Sequence, residues 1–241
     1  MAPTLSAPSS PLITNRLLSA LPAAERERVL ARCEPVELAF SSVLVNPGEA
    51  LHHVYFPTTS FISLVTPMGG KSILEVALAG NEGMFGVPAA LGVASSNMRA
   101  LVQGKGQALR MGTAAFRRQL ATSAALDKGV KRYIHVLMTQ LAQAAGCNRF
   151  HVVEQRLARW LLMTADRAHS PSFHITHEFL AFMLGVRRVG ITKAATALQR
   201  RKLIAYSRGE VAILDRAGLE AASCTCYQID IDTYNLAFRK P

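Results

Sequence analysis

The sequence predicts an α+β protein with three parts: an N-terminal antiparallel β-roll of the jelly-roll kind, one long central helix, and a C-terminal winged helix-turn-helix. Short β-rich runs alternate with turn sequences from Val36 to about Arg118. An uninterrupted helical pattern then extends from Ala124 to Cys147. After it, two helical segments meet at Gly185 and a hairpin pattern follows. Short strands with frequent turns indicate an antiparallel rather than a parallel sheet.

The two ends of the chain are expected to be tails. Residues 1–13 are rich in Pro, Ser and Ala and lack the apolar core of a secretory leader, so we expect disorder there. Residues 231–241 are expected to form a C-terminal tail. Apolar residues at helical spacing around Pro22 predict a pair of short helices, and the β-rich runs after them have room for about eight strands. Residues 14–123 are therefore expected to form a sensor domain.

Residues 124–148 predict a single long helix, because turn residues vanish and apolar residues recur every three or four positions. Its narrow apolar stripe favours a contact with a second copy of the chain. The residues expected to form this dimer contact are Val130, Ile134, Leu137 and Leu141. The alternative is that the helix lies on the β-roll of its own chain.

The charge of the chain indicates a polyanionic partner. Lysine and arginine outnumber aspartate and glutamate by 27 to 16, which gives a formal net charge of +11. Seven of these cations fall between Arg187 and Arg208, a stretch without a carboxylate. Such an imbalance favours binding to polyanions through the release of counterions. Composition alone does not distinguish nucleic acid from an anionic membrane surface.

A helix-turn-helix pattern within residues 149–230 favours DNA. The apolar positions of its second helix share one face of a helical wheel, which we expect to be buried: Ile191, Ala194, Ala195 and Leu198. The opposite face is slim and cationic, as entry into the major groove requires, and Arg208 lies at the tip of the following hairpin. Gly190 is expected to let the backbone approach DNA closely. The residues expected to contact DNA are Arg187, Arg188, Val189, Gly190, Lys193, Thr196, Arg200 and Arg208.

From about Asn15 to Tyr227 the chain resembles the Crp/Fnr family of bacterial transcription regulators. The most specific segment is LAFMLGVRRVGITKAATALQRRKLIAYSRGEVAILDRAGLE, which is similar to the winged helix of that family. The resemblance implies an effector-binding roll, a homodimer, near-palindromic sites on double-stranded DNA, and RNA polymerase as a further partner. It also implies that Arg188 reads a guanine and that Lys193 is a second basic reader. Val189 and Gly190 depart from the glutamate and the Ser or Thr of the family, which leaves the DNA sequence open.

The resemblance is weaker in the segment that corresponds to a cyclic-nucleotide pocket. Family members that bind cyclic nucleotides use a Gly-Glu-Leu turn and a later Arg-Ser pair, and the matching residues are Gly86, Val87, Met98 and Arg99. Val87 replaces the ribose-contacting acid, Pro88 removes a backbone donor, and Arg99 is one position out of register. We therefore expect a small-molecule effector other than a cyclic nucleotide at these four residues, or none.

The sequence gives little support to other kinds of chemistry. Cys224 and Cys226 have no further Cys or His close to them in the sequence, so no metal or cofactor is expected. Nothing resembles a nucleophile elbow, a phosphate-binding loop or a carboxylate pair, so no enzyme is expected. No apolar run is long enough to cross a membrane, and we expect a cytoplasmic protein. The remaining alternative is a ligand-binding roll whose basic C-terminal domain serves a protein partner or an anionic surface.

Overall fold

The computed structural model describes residues 15–69 and 73–239. Within this range the N-terminal part is a β-roll of seven strands in two antiparallel sheets. The strands are β1 (Glu34–Leu38), β2 (Val43–Val45), β3 (His53–Pro57), β4 (Phe61–Pro67), β5 (Ile73–Ala79), β6 (Arg99–Gly104) and β7 (Gly106–Gly112). One sheet has the order β1-β7-β3 and the other has the order β2-β6-β4-β5. The predicted antiparallel roll is confirmed.

Side chains from both sheets fill the interior of the roll. Phe56 on β3 and Ile62 on β4 are fully buried, since alternate residues of a strand point to the same face of its sheet. At the corner between β6 and β7, Gly106 has a φ of 154°. A Cβ at this position would lie 2.8 Å from the backbone nitrogen of Ser60, so only glycine fits where the chain passes from one sheet to the other.

Four helices pack around the roll: α1 (Arg16–Ser19), α2 (Ala23–Leu30), α3 (Val87–Ala90) and α4 (Thr113–Thr122). Asn15 joins the first of them to the strands. Its Oδ1 accepts a hydrogen bond from the amide of Leu18 (3.2 Å), and its Nδ2 donates to the carbonyls of Pro57 (2.8 Å) and Gly83 (2.9 Å). The predicted tail at residues 1–13 lies outside the described residues.

The long helix α5 (Ala124–Phe150) is capped by Ser123, whose hydroxyl accepts a hydrogen bond from the amide of Leu126 (3.1 Å). Val130 and Leu137 on this helix are only 1% and 7% exposed, and both belong to the core of the roll. The structure contradicts the prediction that these two residues meet a second copy, because their own chain already covers them. The alternative, a helix lying on the roll, describes this face of α5.

The C-terminal domain contains the predicted winged helix-turn-helix. Its elements are α6 (Val153–Ala168), β8 (Ser172–His174), α7 (His177–Leu184), α8 (Arg188–Arg200), β9 (Ile204–Ser207) and β10 (Glu210–Ile213). The strands form one antiparallel sheet in the order β8-β10-β9. Strand β8 is not predicted from the sequence, and its three residues become a strand by pairing with β10. In the described part of the chain, no helix is both long and apolar enough to cross a membrane.

Two helices complete the chain, α9 (Arg216–Ala222) and α10 (Cys226–Phe238). The prediction of a tail at residues 231–241 is wrong up to Phe238, because α10 continues through this segment and packs along α5. Tyr234 is buried, stacks on Phe238 at 4.7 Å between ring centroids, and lies under the guanidinium of Arg16. These aromatic contacts bring the C-terminal end of the chain back to its N-terminal helix.

Two buried polar contacts join α6 to the roll. Arg167 forms an ion pair of 2.7 Å with Glu82, and the indole nitrogen of Trp160 donates to Oε1 of Glu75 (2.8 Å). The hydroxyl of Ser63 also donates to the Glu75 carboxyl. Loss of contact with water raises the pKa of Glu75 to about 7. These contacts hold the winged domain against the roll through α6.

Candidate nucleic-acid interface

A tight turn sets the angle between the two helices of the helix-turn-helix. Thr176 is the N-cap of helix α7, and its hydroxyl accepts a hydrogen bond from the amide of Phe179 (3.1 Å). It ends at Gly185, which has the left-handed conformation (φ 60°, ψ 41°) that favours glycine. Only Val186 and Arg187 then precede the first residue of α8.

Helix α8 is buried on one side and exposed on the other, and the predicted division of its faces is confirmed. The buried residues are Ile191, Ala194, Ala195 and Leu198, and they join the core of the C-terminal domain. Two of these four side chains are alanine methyl groups, so α8 lies close to the helix beneath it. The opposite side of α8 therefore projects from the domain as a narrow ridge.

The exposed side of α8 carries cations without carboxylate partners. Seven of the eight residues predicted to contact DNA are exposed: Arg187, Arg188, Val189, Lys193, Thr196, Arg200 and Arg208. Arg187 is the N-cap of α8 and its side chain makes no capping hydrogen bond, and Val189 is 59% exposed. Among the described residues, none of the five cations in this set forms an ion pair. An unneutralised ridge of this kind attracts an external polyanion.

Arg201, by contrast, is neutralised inside the chain. Its guanidinium pairs with Oε1 of Glu154 on α6 at 3.0 Å, so it points back toward the body of the domain. Arg200, its neighbour in sequence, remains exposed and has no carboxylate partner among the described residues. The two adjacent arginines thus have different environments.

Gly190 is the eighth predicted contact, and it lies within the first turn of α8. A Cβ built at this position meets no atom within 4 Å, so packing inside the protein does not require glycine there. Glycine is less favourable than alanine in a helix by about 1 kcal/mol. This unfavourable residue stands at the edge of the exposed ridge, next to Val189 and close to Lys193.

The hairpin of β9 and β10 presents Arg208 at its tip. Both turn residues have positive φ, 51° at Arg208 and 85° at Gly209, which matches the twist of a two-residue hairpin. The Gln199 side chain of α8 donates to the carbonyl of Tyr206 (3.1 Å) and so ties the hairpin to the helix. Arg188 and Arg208 both line the resulting groove, which has a volume of about 320 Å³.

Three residues that the sequence analysis missed support this groove. Tyr206 packs edge-on against His177 with 4.5 Å between ring centroids, and its hydroxyl donates to the carbonyl of Ile175 (2.6 Å). The hydroxyl of Thr192 lies 3.1 Å from Nδ1 of His177. Burial, together with the nearby charge of Arg188, lowers the pKa of His177 below its usual range. The imidazole is therefore neutral at pH 7 and adds no charge to the ridge.

The predicted dimer residues divide between two faces of α5. Ile134 and Leu141 are only partly buried, unlike Val130 and Leu137. They lie at helical spacing with Met138, which is 64% exposed, and with the exposed Ala145. We call these four residues, Ile134, Met138, Leu141 and Ala145, the α5 outer strip. This strip is the apolar face of α5 that the chain itself leaves partly uncovered.

The four predicted effector residues have ordinary packing roles. Gly86 begins α3 with a φ of 103° and approaches the side chain of Val54, while Val87 and Met98 pack in or against the core of the roll. Arg99 is exposed and donates to Oδ1 of Asn46 (3.1 Å). The structure therefore does not arrange these residues as a cradle for a phosphate.

A larger cavity lies between the roll and the winged domain. Its volume is about 450 Å³, and its walls include Phe61 and Gln103 of the roll and Trp160 and Thr164 of α6. Both polar atoms of the Gln103 amide and the hydroxyl of Thr164 are buried and lack a hydrogen-bond partner among the described residues. These atoms are shielded from solvent and do not face the open space of the cavity, whose walls are mainly apolar.

Cys224 and Cys226 have no further donor close to them in sequence, which is why no metal is expected there. In three dimensions further donors are close. The structure brings Cys147 and His151, at the end of α5, next to both cysteines. The sequence contains these residues, but their distance along the chain concealed the cluster.

Comparison with known proteins supports the helix-turn-helix and the overall architecture. Residues 155–222 match the model of the Crp-like helix-turn-helix domain. The fold is similar to a putative Crp/Fnr-family transcriptional regulator from Eubacterium rectale, with 16% identity over 86% of this chain and 97% of that chain and a TM-score of 0.67. It is also similar to FixK2 from Bradyrhizobium japonicum, with 11% identity over 80% of this chain and 98% of that chain and a TM-score of 0.68.

A third similar structure is the regulator CLP from Xanthomonas campestris, described as c-di-GMP responsive, with 14% identity over 80% of this chain and 99% of that chain and a TM-score of 0.65. No curated protein matches the chain. At these identities the structural similarity establishes a shared fold. Together with the domain match, it confirms the resemblance identified from the sequence.

Proposed function

We propose that this chain, which has the Crp/Fnr regulator fold and a Crp-like helix-turn-helix at residues 155–222, is a homodimeric transcription regulator that binds specific DNA sequences. The observation that carries the proposal is the ridge of α8. It is narrow, it projects from the domain, and its cations have no partners within the described part of the chain. A helix about 10–12 Å across fits the major groove of B-DNA.

The residues of the ridge divide into two roles. Arg188, in the first turn of α8 and at the wall of the groove, reads a base edge, where a bidentate arginine prefers guanine. Arg187, Arg200 and Arg208 contact phosphates and fix the position of α8 on the duplex. Lys193 and Thr196 contribute contacts from the middle of the ridge, and Val189 meets a thymine methyl group.

Dimerisation through the α5 outer strip brings two ridges to one DNA site. The strip is apolar and uncharged over three turns, and a second copy related by twofold symmetry covers it with the same strip. A symmetric dimer binds two half-sites about one helical turn apart on a near-palindromic site. Ile134 and Leu141, which also touch the edge of the roll's core, keep their predicted role, whereas Val130 and Leu137 are buried within that core.

Selection of bound sequences from a random DNA library tests the proposal. We expect enrichment of one near-palindromic motif with half-sites about 10 base pairs apart. Binding to the selected site is then measured over a range of salt concentrations for Arg200→Ala and for the matched control Arg201→Ala. Arg200→Ala should weaken binding and reduce the slope of log K against log salt by about 1, because one phosphate contact is lost.

Arg201→Ala should leave both the affinity for DNA and its salt dependence unchanged, since Arg201 is paired with Glu154. If the library yields no motif at physiological salt, the protein does not read DNA sequence. The alternative, a ligand-binding roll whose basic domain serves a protein partner or an anionic surface, then replaces the proposal.

An effector site at the 450 Å³ cavity is a further part of the proposal, in place of the four residues expected from the sequence. The walls are mainly apolar and include Phe61, Trp160 and Phe173, which favours a small apolar or aromatic ligand there. A thermal-shift screen against small metabolites, repeated with Phe173→Ala, tests this assignment. A ligand that stabilises both proteins equally does not use the cavity.

As a DNA-binding regulator the protein acts in the bacterial cytoplasm with RNA polymerase as its functional partner, and we expect no catalytic activity.

A further inference from the structure

Three cysteines and one histidine converge where the end of α5 meets the start of α10. Cys147 lies in the last turns of α5 and His151 directly follows that helix, while Cys224 and Cys226 flank Thr225 at the N-terminus of α10. The four ligand atoms, one from each residue, all lie within 4.8 Å of one another. All three thiol groups belong to buried residues, and His151 is partly buried.

The spacing of these atoms suits a single tetrahedral ion. Bonds of about 2.3 Å to sulfur and 2.0–2.1 Å to nitrogen place the ligand atoms of a tetrahedral zinc site roughly 3.5–3.8 Å apart. The Sγ atoms of Cys147 and Cys224 are 3.5 Å apart, and Sγ of Cys226 is 3.4 Å from Nδ1 of His151. Small movements of side chains would bring the remaining pairs into this range.

A disulfide accounts for less of the arrangement. A bond between Cys147 and Cys224 would use two of the three thiols and would leave Cys226 and His151 without a reason to face the same point. An apolar cluster of cysteines does not account for the imidazole nitrogen that points at Cys226. Four donors from two segments far apart in sequence are typical of a structural metal site.

We propose that Cys147, His151, Cys224 and Cys226 bind one Zn²⁺ ion as a Cys₃His site. On binding, the three thiols release their protons to solvent and the histidine binds in its neutral form through Nδ1. The complex of one Zn²⁺ with three thiolates carries a net charge of −1.

The surroundings of the cluster suit such a charge. Arg156 and Arg159 of α6 line the same small cavity as Cys147, and Arg159 is also paired with Asp230 (2.5 Å). The amide of Gln143 on α5 donates to Sγ of Cys226 (3.0 Å). Hydrogen bonds of this kind orient the ligands of metal sites and stabilise the bound thiolate.

The proposed ion joins segments that are far apart in sequence. His151 lies at the junction between α5 and α6, where the chain leaves the long helix and enters the winged domain. Cys224 and Cys226 lie after the winged domain has been completed. The ion therefore fixes the C-terminal end of α5 and the N-terminal end of α10 to each other at the junction of the two domains.

Metal binding by the full-length wild-type chain is the first test, and it requires no DNA. Protein purified under reducing conditions without chelator should contain about one zinc per chain by plasma mass spectrometry. After removal of the metal, one equivalent of Co²⁺ should give the intense visible absorption of tetrahedral cobalt together with thiolate-to-cobalt charge transfer, and Zn²⁺ should abolish both. A folded, reduced protein that binds neither ion overturns the proposal, as does a preparation that contains iron and sulfide or a Cys147–Cys224 disulfide instead.

Single substitutions assign the ligands. Cys224→Ser and His151→Ala should each abolish the wild-type cobalt spectrum and reduce zinc content at least about tenfold, comparable to the smallest losses seen when metal-site residues are changed. Cys33→Ser and His135→Ala are the matched controls, since Cys33 lies outside the cluster and His135 is exposed on α5, and both should retain the metal. Retention of the spectrum by the ligand variants, or equal losses in the controls, overturns the assignment. If a ligand variant fails to fold, the wild-type cobalt spectrum still decides the question.

Discussion

Replacing Gly190 with alanine separates the stability of α8 from its contact with DNA. The site has room for the new methyl group, because a Cβ there meets no atom within 4 Å, and the backbone has ordinary helical geometry. The substitution therefore adds helix propensity without strain. Gly146 on α5 has the same properties and lies outside the winged domain, so Gly146→Ala is a matched control.

Both substitutions should raise the free energy of unfolding by about 0.5–1 kcal/mol, the difference between glycine and alanine inside a helix. For a chain of this length, 1 kcal/mol corresponds to a rise in Tm of roughly 2–4 °C. Urea titration followed by circular dichroism measures the free energy of unfolding, and a thermal melt measures Tm. A smaller gain at Gly190 would indicate that the first turn of α8 is frayed in the free protein.

The two variants should differ in DNA binding. We expect Gly190→Ala to weaken binding to the selected site about tenfold, or 1.4 kcal/mol, because the methyl group keeps the helix backbone away from the duplex. Gly146→Ala should bind as wild type does in a fluorescence-anisotropy titration at fixed salt. If Gly190→Ala gains stability and binds DNA as tightly as the control, then glycine is not needed for approach to DNA and that part of the interface is wrong.

Arg188→Ala should relax sequence preference by roughly 1–3 kcal/mol at one base pair, whereas Arg208→Ala should weaken binding to all DNA sequences alike. Titration with single-base variants of the site distinguishes the two effects. Uniform losses of affinity in both variants would refute the division of roles. Met138→Glu should convert the dimer to a monomer in sedimentation experiments without loss of folding stability, because Met138 is already 64% exposed. An unchanged dimer would place the dimer contact outside the α5 outer strip. The pKa of Glu75 is raised to about 7, so between about pH 4.5 and 7 the folded chain holds a proton that the unfolded chain has lost. The free energy of unfolding should therefore fall as pH rises through this range. Glu75→Gln should flatten this pH dependence in urea titrations, and an unchanged dependence would assign it to another group.

The sequence predicted those features that depend on local pattern. The buried face of α8 follows from the spacing of Ile191 and Leu198, and the end of α7 follows from Gly185, because each depends on residues within a few positions of each other. The hairpin turn at Arg208 and Gly209 was predicted for the same reason. Local periodicity also predicted the extent of α5 to within a few residues.

Features that depend on distant contacts were missed or assigned to the wrong partner. The apolar stripe of α5 predicts that the helix packs against something, but it does not say whether Val130 meets the roll or a second copy. Residues 231–241 were expected to form a tail, yet α10 runs through this segment to Phe238, and Asp230 just before it pairs with Arg159 of α6 at 2.5 Å. Three residues of β8 carry too little pattern to predict a strand that exists only through its pairing with β10.

Helices α6 and α7 both orient the ridge relative to the roll, since α7 packs on β5 and α6 contacts Glu75 and Glu82. Helix α8 packs on α6 through apolar contacts. Helix α6 in turn contacts the carboxyl groups of Glu75 and Glu82 in the roll. Burial of an ion pair such as Glu82 with Arg167 adds little net stability, because removal of both charges from water offsets their attraction, but loss of either partner leaves an uncompensated charge. Such a contact therefore favours one arrangement of the two domains over others more than it favours folding. Because the ridge is fixed to α6, that arrangement also fixes the direction in which Arg188 faces DNA.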